Sequence, residues 1–118
     1  MRIVRASQVK NEERSYGRTV KRLLDLENFD ADSLVLYLGQ SPQGKLDCHY
    51  HSESHEIICF PIGGKLIVNN ESFDFEAWDL VVLEPGDTHG YESNDGSETI
   101  HLAIKLPGTP DKVAVKSE

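Results

Sequence analysis

The stretch that decides the interpretation of this chain is 44–56, which reads GKLDCHYHSESHE. Within it His49 and His51 are two residues apart, and side chains two apart in a β-strand project from the same face. The residues from Ser52 to His55 can turn the chain back, so that Glu56 on a following strand brings a carboxylate to the same point. The pattern therefore predicts two imidazoles and one carboxylate around a metal ion.

A second segment completes this predicted metal site. Residues 84–89, EPGDTH, place His89 directly after a turn rich in Pro, Gly and Asp, and such a turn fixes where the next strand enters the sheet. Imidazole and carboxylate ligands suit one divalent transition metal, namely Fe, Mn, Zn, Ni, Co or Cu, rather than the all-oxygen sites of calcium. If the strand that carries Glu56 began one residue earlier, His55 would replace Glu56 as a ligand. We expect the ligands to be His49, His51, Glu56 and His89, with that exchange left open.

Most of the chain is divided into short runs rich in β-branched and aromatic residues, which Gly, Pro, Asn and Asp separate. We predict strands at 19–24, 34–38, 46–51, 56–61, 65–69, 72–75, 80–83, 89–92 and 99–106. The pair Asn69-Asn70 between two of these runs predicts a tight hairpin, and a single helical turn is expected only within 25–32. Short strands without crossover helices predict an all-β sandwich or barrel.

The predicted strand 99–106 alternates between two kinds of residue. One face carries Ile100, Leu102, Ile104 and Leu106, and the other carries Thr99, His101, Ala103 and Lys105. This is the pattern of a half-buried strand. Because His101 lies opposite the aliphatic face, we expect it at the surface or hydrogen-bonded in the core rather than among the metal ligands.

Composition limits the class of protein. A chain of 118 residues suits one domain spanning 1–118, and a formal net charge of −8 disfavours nucleic acids and anionic membranes as partners. No apolar run approaches the roughly 18 residues of a membrane helix, and the first residues lack the apolar stretch of a secretory signal, so we expect a cytoplasmic protein. Cys48 and Cys59 are expected to be reduced, mostly buried thiols.

The first segment resembles a motif of the cupin superfamily. The first cupin motif is Gly, five residues, His-x-His, three or four residues, Glu, six residues and Gly. This chain has Gly44, four residues, His49-Tyr50-His51, four residues, Glu56, six residues and Gly63. Three ligand-type residues and a glycine thus fall at the expected spacings.

The second cupin motif is Gly, five residues, Pro-x-Gly, two residues, His, three residues and Asn, and 78–94 resembles it with departures. Gly86, two residues and His89 fit the motif. Trp78 stands at the first Gly, Glu84 at the Pro with Pro85 next to it, and Ser93 at the Asn with Asn94 following. The departures affect turns and strand ends and leave the ligand positions intact.

The resemblance implies a double-stranded β-helix, which is a jelly-roll barrel of the cupin type. The metal would lie inside one end of a small single cupin domain, with the site motifs in 44–94 and an N-terminal strand or arm over about 1–30. Many cupins are homodimers, and exposed strand edges on so small a barrel favour one here, with the segment before Leu23 as the strand that is exchanged or makes the contact. Cupins include dioxygenases, isomerases, epimerases, decarboxylases and non-catalytic binding proteins, so the fold does not settle the function.

A substrate pocket is expected beside the metal. Ile58 and Phe60 share a strand face with Glu56, and Tyr91 shares one with His89. Core packing is the simpler interpretation of Ile58 and Phe60, whereas the hydroxyl of Tyr91 makes it the candidate catalytic residue. A cluster of basic residues is expected to face water instead: Arg14, Arg18, Lys21 and Arg22.

Two functions are consistent with these residues. In the first, Fe or Mn supports a dioxygenase- or isomerase-type reaction on a small carboxylate- or hydroxyl-bearing molecule that chelates the ion. In the alternative, the barrel binds a sugar or another metabolite without transforming it, because no general base is obvious beyond the ligands. Formation of a product distinguishes the first function from the second.

Overall fold

A computed structural model of the chain describes residues 1–25, 33–41, 48–92 and 99–115. The helical turn predicted within 25–32 falls almost entirely outside these ranges, as do Gly44, Ser93 and Asn94 of the two motifs. The described ranges contain two short 3-10 helices, Ala6–Gln8 and Ser15–Gly17, and no helix with the length and apolar character to cross a bilayer.

Twelve strands run through the described residues. In chain order they are β1 Arg2–Val4, β2 Asn11–Glu13, β3 Thr19–Lys21, β4 Val35–Ser41, β5 His49–His51, β6 His55–Phe60, β7 Gly64–Val68, β8 Glu71–Phe75, β9 Asp79–Leu83, β10 His89–Tyr91, β11 Thr99–Leu106 and β12 Lys112–Ala114. The predicted strands all have a counterpart among them, whereas the short strands β1, β2 and β12 were not predicted.

The strands form two five-stranded sheets and one hairpin. The first sheet has the order β1-β9-β6-β11-β4, the second has the order β12-β5-β10-β7-β8, and β2 pairs with β3. Every pairing is antiparallel. In these strand orders, strands that follow one another in the chain often lie in different sheets, which is the arrangement of a jelly roll.

The core lies between the two sheets, where alternate residues of each strand point inward. Ile58 and Phe60 of β6 are fully buried there, and the ring of Phe60 stacks on Phe75 of β8 with 4.5 Å between centroids. Leu66 and Val68 of β7 complete the contact from the second sheet. Because β6 belongs to the first sheet, this contact joins the two sheets directly.

In β11 the face that points into the barrel is not the aliphatic one that a half-buried strand would suggest. His101, Ala103 and Lys105 are buried and point between the sheets, whereas Ile100, Leu102 and Ile104 are only partly buried on the outer face. The alternation predicted from the sequence is present, but the polar face is the inner one. The buried Lys105 is satisfied there, because its Nζ donates to the carbonyl of Thr109 at 2.6 Å and to Asp111 at 3.3 Å.

Two tight turns depend on positive backbone φ angles. Asn69 and Asn70 have φ of 49° and 68°, and they join β7 to β8 in the hairpin that the sequence predicted. Trp78 also lies in this left-handed region, with a φ of 70°. Its amide donates a hydrogen bond to the carbonyl of Phe60 (2.7 Å), which holds the turn before β9 against β6.

Candidate metal centre

Three histidines meet where β5 and β10 lie side by side. His49 and His51 project from the same face of β5, and His89 at the start of β10 is the direct partner of His49 in the strand register. Each of the three offers one ring nitrogen, and these nitrogens all lie within 4.8 Å of one another. All three side chains are buried. The two segments that the sequence singled out are therefore brought together by one strand pairing.

Glu56 reaches the same point from the opposite sheet. Its Oε2 lies 2.9 Å from Nε2 of His51, and its Oε1 lies 3.2 Å from Nε2 of His89. His55 instead points outward and pairs with Glu84 across 2.7 Å. Strand β6 begins at His55, so alternation sends His55 outward and Glu56 inward. The exchange of Glu56 for His55 that the sequence left open does not occur in this geometry.

The second ring nitrogens of two of these histidines have fixed hydrogen-bonding roles. Nδ1 of His51 lies 3.1 Å from a carboxylate oxygen of Asp111, and Nδ1 of His89 lies 3.1 Å from the main-chain oxygen of Asp87. A carbonyl or ionised carboxylate oxygen can only accept a hydrogen bond, and these two contacts have hydrogen-bond geometry whereas those of the Nε2 atoms with Glu56 do not, so each Nδ1 carries the hydrogen. In the neutral ring the Nε2 atoms of His51 and His89 are then left with lone pairs.

These Nε2 atoms show that a cation fits the site. Both are buried, and neither has a hydrogen-bond partner among the described residues, although each lies close to an oxygen of Glu56. A lone pair that faces an ionised carboxylate needs either a proton or a metal ion between them. Imidazole nitrogens with one carboxylate are a donor set that divalent transition metals favour. The residues present therefore fit the ion that the sequence predicted.

The ionisation of Glu56 agrees with this arrangement. Burial alone would raise the pKa of its carboxyl, but the positive charges that His89, His51 and His49 carry when protonated, with His89 contributing most, outweigh burial and hold the pKa below its ordinary value. Glu56 is therefore a carboxylate at neutral pH. A metal cation that replaced those protons would give the same carboxylate its positive partner.

A cavity of about 480 Å³ opens beside the histidines and Glu56. Its wall includes His49, His51 and Glu56 themselves. The rest of the wall combines aromatic, apolar and basic residues, namely Tyr37, Leu38, Tyr91, His101, Ala103, Lys105, Pro110 and Lys112. Tyr91 borders the cavity, and its catalytic role stays a prediction. Ile58 and Phe60 lie in the core cluster instead and do not appear in the described wall.

Sequence reasoning placed little weight on His101, which nevertheless borders this cavity. Its ring stacks on that of Tyr91 with 4.0 Å between centroids and 17° between planes. Burial lowers the pKa of His101, against a smaller opposing effect of Glu56, so the ring is neutral at pH 7. Its Nδ1 is buried and has no hydrogen-bond partner among the described residues. The alternation of β11 showed that His101 shares a face with Ala103 and Lys105, but it did not show that this face points inward.

Two further residues of the site were also missed from the sequence. Asp111 accepts hydrogen bonds from the main-chain amides of Glu53 and Ser54 at 2.9 and 2.7 Å, in addition to its contact with His51. Burial opposes ionisation of Asp111, but these bonds outweigh it and hold its pKa well below the usual range. Lys105 approaches Asp111 at 3.3 Å. No short motif contains Asp111, which follows His51 by 60 positions.

The remaining candidates lie away from the cavity. The basic residues of the N-terminal segment are exposed, and several form surface pairs, such as Arg14 with Glu12 and Arg22 with Asp25. None of these residues belongs to the described cavity wall. Cys48 and Cys59 are free thiols and partly buried. Burial, with a smaller effect of Asp79, raises the pKa of Cys59 and keeps its thiol protonated.

Comparison with known proteins supports the fold. No protein-family model matches the chain, and no curated protein matches it in sequence. A protein from Klebsiella pneumoniae with a double-stranded β-helix domain is 15% identical at a TM-score of 0.65, over 76% of this chain and 81% of that one. A cupin protein from Bacteroides fragilis is 13% identical at a TM-score of 0.58, over 80% of this chain and 87% of that one.

The likeness extends to proteins with described activities. The nucleoside dehydratase Pac13, solved from Streptomyces with uridine, is 16% identical at a TM-score of 0.60, over 96% of this chain and 88% of that one. Oxalate decarboxylase and salicylate 1,2-dioxygenase from Pseudoaminobacter salicylatoxidans also match, over 24% and 21% of their chains. At these identities the likeness shows the fold alone. The chain therefore has the double-stranded β-helix fold of the cupins, as its two sequence motifs predicted.

Proposed function

We propose that the chain holds one divalent transition-metal ion through His49, His51, Glu56 and His89, and uses it on a small organic molecule in the adjoining cavity. One observation carries this proposal. The buried Nε2 atoms of His51 and His89 have lone pairs that face the carboxylate of Glu56, because their Nδ1 atoms are committed to acceptors. Three imidazoles and one carboxylate so arranged favour a metal cation at their centre.

When bound, such an ion supplies Lewis acidity or a redox couple to a chelating molecule. The cavity wall determines which molecule can approach. Lys112 places positive charge beside the site in a protein whose formal net charge is −8, which favours a carboxylate-bearing molecule. Leu38, Ala103 and Pro110 contribute apolar surface that excludes water from the molecule's remaining part.

We infer a dioxygenase- or isomerase-type reaction, with Fe or Mn as the ion. Tyr91 and the neutral His101 form a stacked pair on the wall, and a phenol hydroxyl beside an imidazole can hold a substrate oxygen or move a proton. That a decarboxylase and a dioxygenase share this fold supports chemistry at such a site without selecting between reactions.

The test begins with elemental analysis of protein purified without added metal. We expect close to one transition-metal ion per chain in the wild type, and loss of both metal and turnover in His49→Ala. His55→Ala is the matched control, because His55 neighbours the ligand Glu56 but points outward to Glu84. Full activity of a thoroughly chelated sample, or metal loss in His55→Ala equal to that in His49→Ala, would contradict the proposal.

A second candidate function is binding of a sugar or another metabolite without reaction. It is favoured by the wall of the cavity, in which no described residue other than Glu56 carries a carboxylate that could act as a general base; the other titratable groups are Tyr37, Tyr91, His101, Lys105 and Lys112. Lys105 is already engaged with Thr109 and Asp111. Stoichiometric thermal stabilisation of metal-loaded protein by a ligand, with no product formed, would support binding alone.

A homodimer also remains a proposal. The resemblance to cupins suggested it, with contact through the segment before Leu23. In the structure β1 pairs with β9 of its own chain and β2 pairs with β3, so any such contact would use surfaces other than these paired edges. Light scattering coupled to size exclusion at micromolar concentration tests the proposal, and a monomer under those conditions would contradict it.

A further inference from the structure

We infer that Asp111 is a positioning residue that fixes the tautomer and direction of His51 for metal binding. This inference rests on the metal site proposed above. It assigns a role to the segment between β11 and β12, which carries no residue of either cupin-like motif. A residue that acts in this way touches neither the ion nor the substrate, and its effect passes through the ring of His51.

The contacts of Asp111 use both oxygens of its carboxylate. Oδ1 accepts from Nδ1 of His51 at 3.1 Å and from Nζ of Lys105 at 3.3 Å. Oδ2 accepts from the main-chain amides of Glu53 and Ser54 at 2.9 and 2.7 Å. An ionised carboxylate has about four lone-pair positions, and here each is matched by a donor. The group is therefore fully satisfied only as a carboxylate.

Donor and acceptor roles then determine the state of His51. Both carboxylates beside His51 can only accept, but only the contact of Nδ1 with Asp111 has hydrogen-bond geometry, so Nδ1 keeps its hydrogen and Nε2 is left as the lone-pair atom that faces Glu56 at 2.9 Å. A carboxylate behind a metal-binding imidazole orients the ring and increases the basicity of the nitrogen that binds. Asp111 supplies both effects to His51.

The backbone around Asp111 is held firmly enough to act as a support. The carbonyl of Asp111 accepts from the amide of Ser52 at 3.2 Å, and the hydroxyl of Ser54 donates to the carbonyl of Pro107 at 2.6 Å. The next strand, β12, pairs with β5, so that Lys112 lies opposite His51 itself. Main-chain and side-chain hydrogen bonds therefore join β5 to the segment around Asp111 and to β12 on both sides of the contact between Asp111 and His51.

Replacing Asp111 by asparagine separates this role from simple packing. The new side-chain amide can accept hydrogen bonds at its oxygen and donate them from its nitrogen. In the wild type, however, both carboxylate oxygens accept hydrogen bonds from neighbouring donors. The main-chain amides of Glu53 and Ser54 cannot release their hydrogens, so the amide oxygen must face them. Its NH₂ group then faces His51, and the imidazole can adapt by moving its proton from Nδ1 to Nε2. That proton would occupy the atom proposed to bind metal.

The experiment compares Asp111→Asn with Asp79→Asn. Asp79 is a matched control, because it is a buried carboxylate that accepts from Arg5 and from the amides of Ala6 and Glu76, and it touches none of the ligands. We expect Asp111→Asn to weaken Co²⁺ and Zn²⁺ binding about 10- to 100-fold in competition titrations. We also expect an altered visible spectrum of the Co²⁺ form. Asp79→Asn should keep wild-type affinity and spectrum even where it lowers thermal stability.

Nitrogen-15 NMR of the metal-free protein at alkaline pH supplies a readout that needs no metal. We expect His51 to carry its hydrogen on Nδ1 in the wild type and on Nε2 in Asp111→Asn. Wild-type His51 protonated on Nε2 would overturn the inference even if the variant did not fold. Unchanged affinity and unchanged tautomer in a folded Asp111→Asn variant would also overturn it while leaving the proposed metal site intact. A wild type that binds no metal would overturn the proposed function. The NMR result, which needs no metal, would still show whether Asp111 sets the tautomer of His51, so the two failures are distinguishable.

Discussion

Oε2 of Glu56 lies 2.9 Å from Nε2 of His51, an atom that cannot donate a hydrogen bond while its ring is neutral and Nδ1 faces Asp111. Two electron-rich atoms are thus buried in contact, one on each of the two sheets of the barrel. Such a contact is unfavourable unless a proton or a metal ion lies between the atoms. Ion binding and the closing of the two sheets against each other are therefore coupled.

Substitution of Glu56 by glutamine reverses this balance. The amide can donate to the lone pair of His51 and carries no charge, so at alkaline pH, where the imidazoles are neutral, we expect metal-free Glu56→Gln to be at least as stable as the wild type, by up to about 1 kcal/mol. The same change removes an anionic ligand, and we expect metal affinity to fall at least about tenfold. Thermal unfolding with a chelator and metal titration measure the two effects. A metal-free variant much less stable than the wild type would contradict this account.

Metal affinity should depend steeply on pH. The imidazoles bind metal only when neutral, so protons compete with the ion as the pH drops through the range near 6.5 where free histidine titrates. Glu56 adds little to this dependence, because its pKa lies below the ordinary carboxyl value and it remains ionised there. We expect metal content after dialysis to fall between about pH 7 and pH 5. Constant metal content from pH 8 to pH 5 would argue against histidine ligands.

Asp79 stabilises the barrel on the side of the N-terminal segment. Its carboxylate accepts from Nη1 of Arg5 and from the amides of Ala6 and Glu76, each at 2.9 Å. Asparagine leaves at least one of these donors unsatisfied, so we expect Asp79→Asn to reduce the free energy of unfolding by about 1 to 3 kcal/mol at pH 7. Denaturant unfolding monitored by tryptophan fluorescence measures this loss.

The same residue predicts a pH dependence of stability. Burial would raise the pKa of Asp79, but the bonds from Arg5, Ala6 and Glu76 outweigh it and lower the pKa in the folded state. A lowered folded-state pKa contributes stability that is present above the unfolded value, near about 3.9, and is lost as the pH falls through the folded value. The difference between wild type and Asp79→Asn should shrink below about pH 4. An unchanged difference at pH 3 would show that ionisation of Asp79 contributes nothing.

Trp78 should carry backbone strain where the second cupin motif has glycine. Its φ of 70° places a residue with a Cβ in the left-handed region, and the indole is 56% exposed. That conformation costs about 1 to 2 kcal/mol for most residues, and asparagine tolerates it better than others do. We expect Trp78→Asn to be more stable than Trp78→Ala by up to about 1 kcal/mol. Both variants lose the indole, so their difference in melting temperature isolates the backbone effect. Equal stability would show that this turn is not strained.

The sequence by itself determined the all-β fold and most of its strands, and it placed His49, His51 and His89 at one point while leaving the choice between Glu56 and His55 open. Spacing was sufficient for these, because His49 and His51 share a strand face and the turn before His89 fixes where β10 starts. The paired asparagines at 69 and 70 likewise specified their hairpin through backbone conformation alone. Each of these properties depends on residues within a few positions of one another.

Tertiary structure alone decided which face of β11 points inward and which residue stands behind His51. Alternation divides a strand into two faces but does not say which one meets the opposite sheet, so the burial of His101 and Lys105 became apparent only in the folded chain. Asp111 reaches His51 across 60 positions because β12 pairs with β5. Such a contact depends on strand order, which no local pattern encodes.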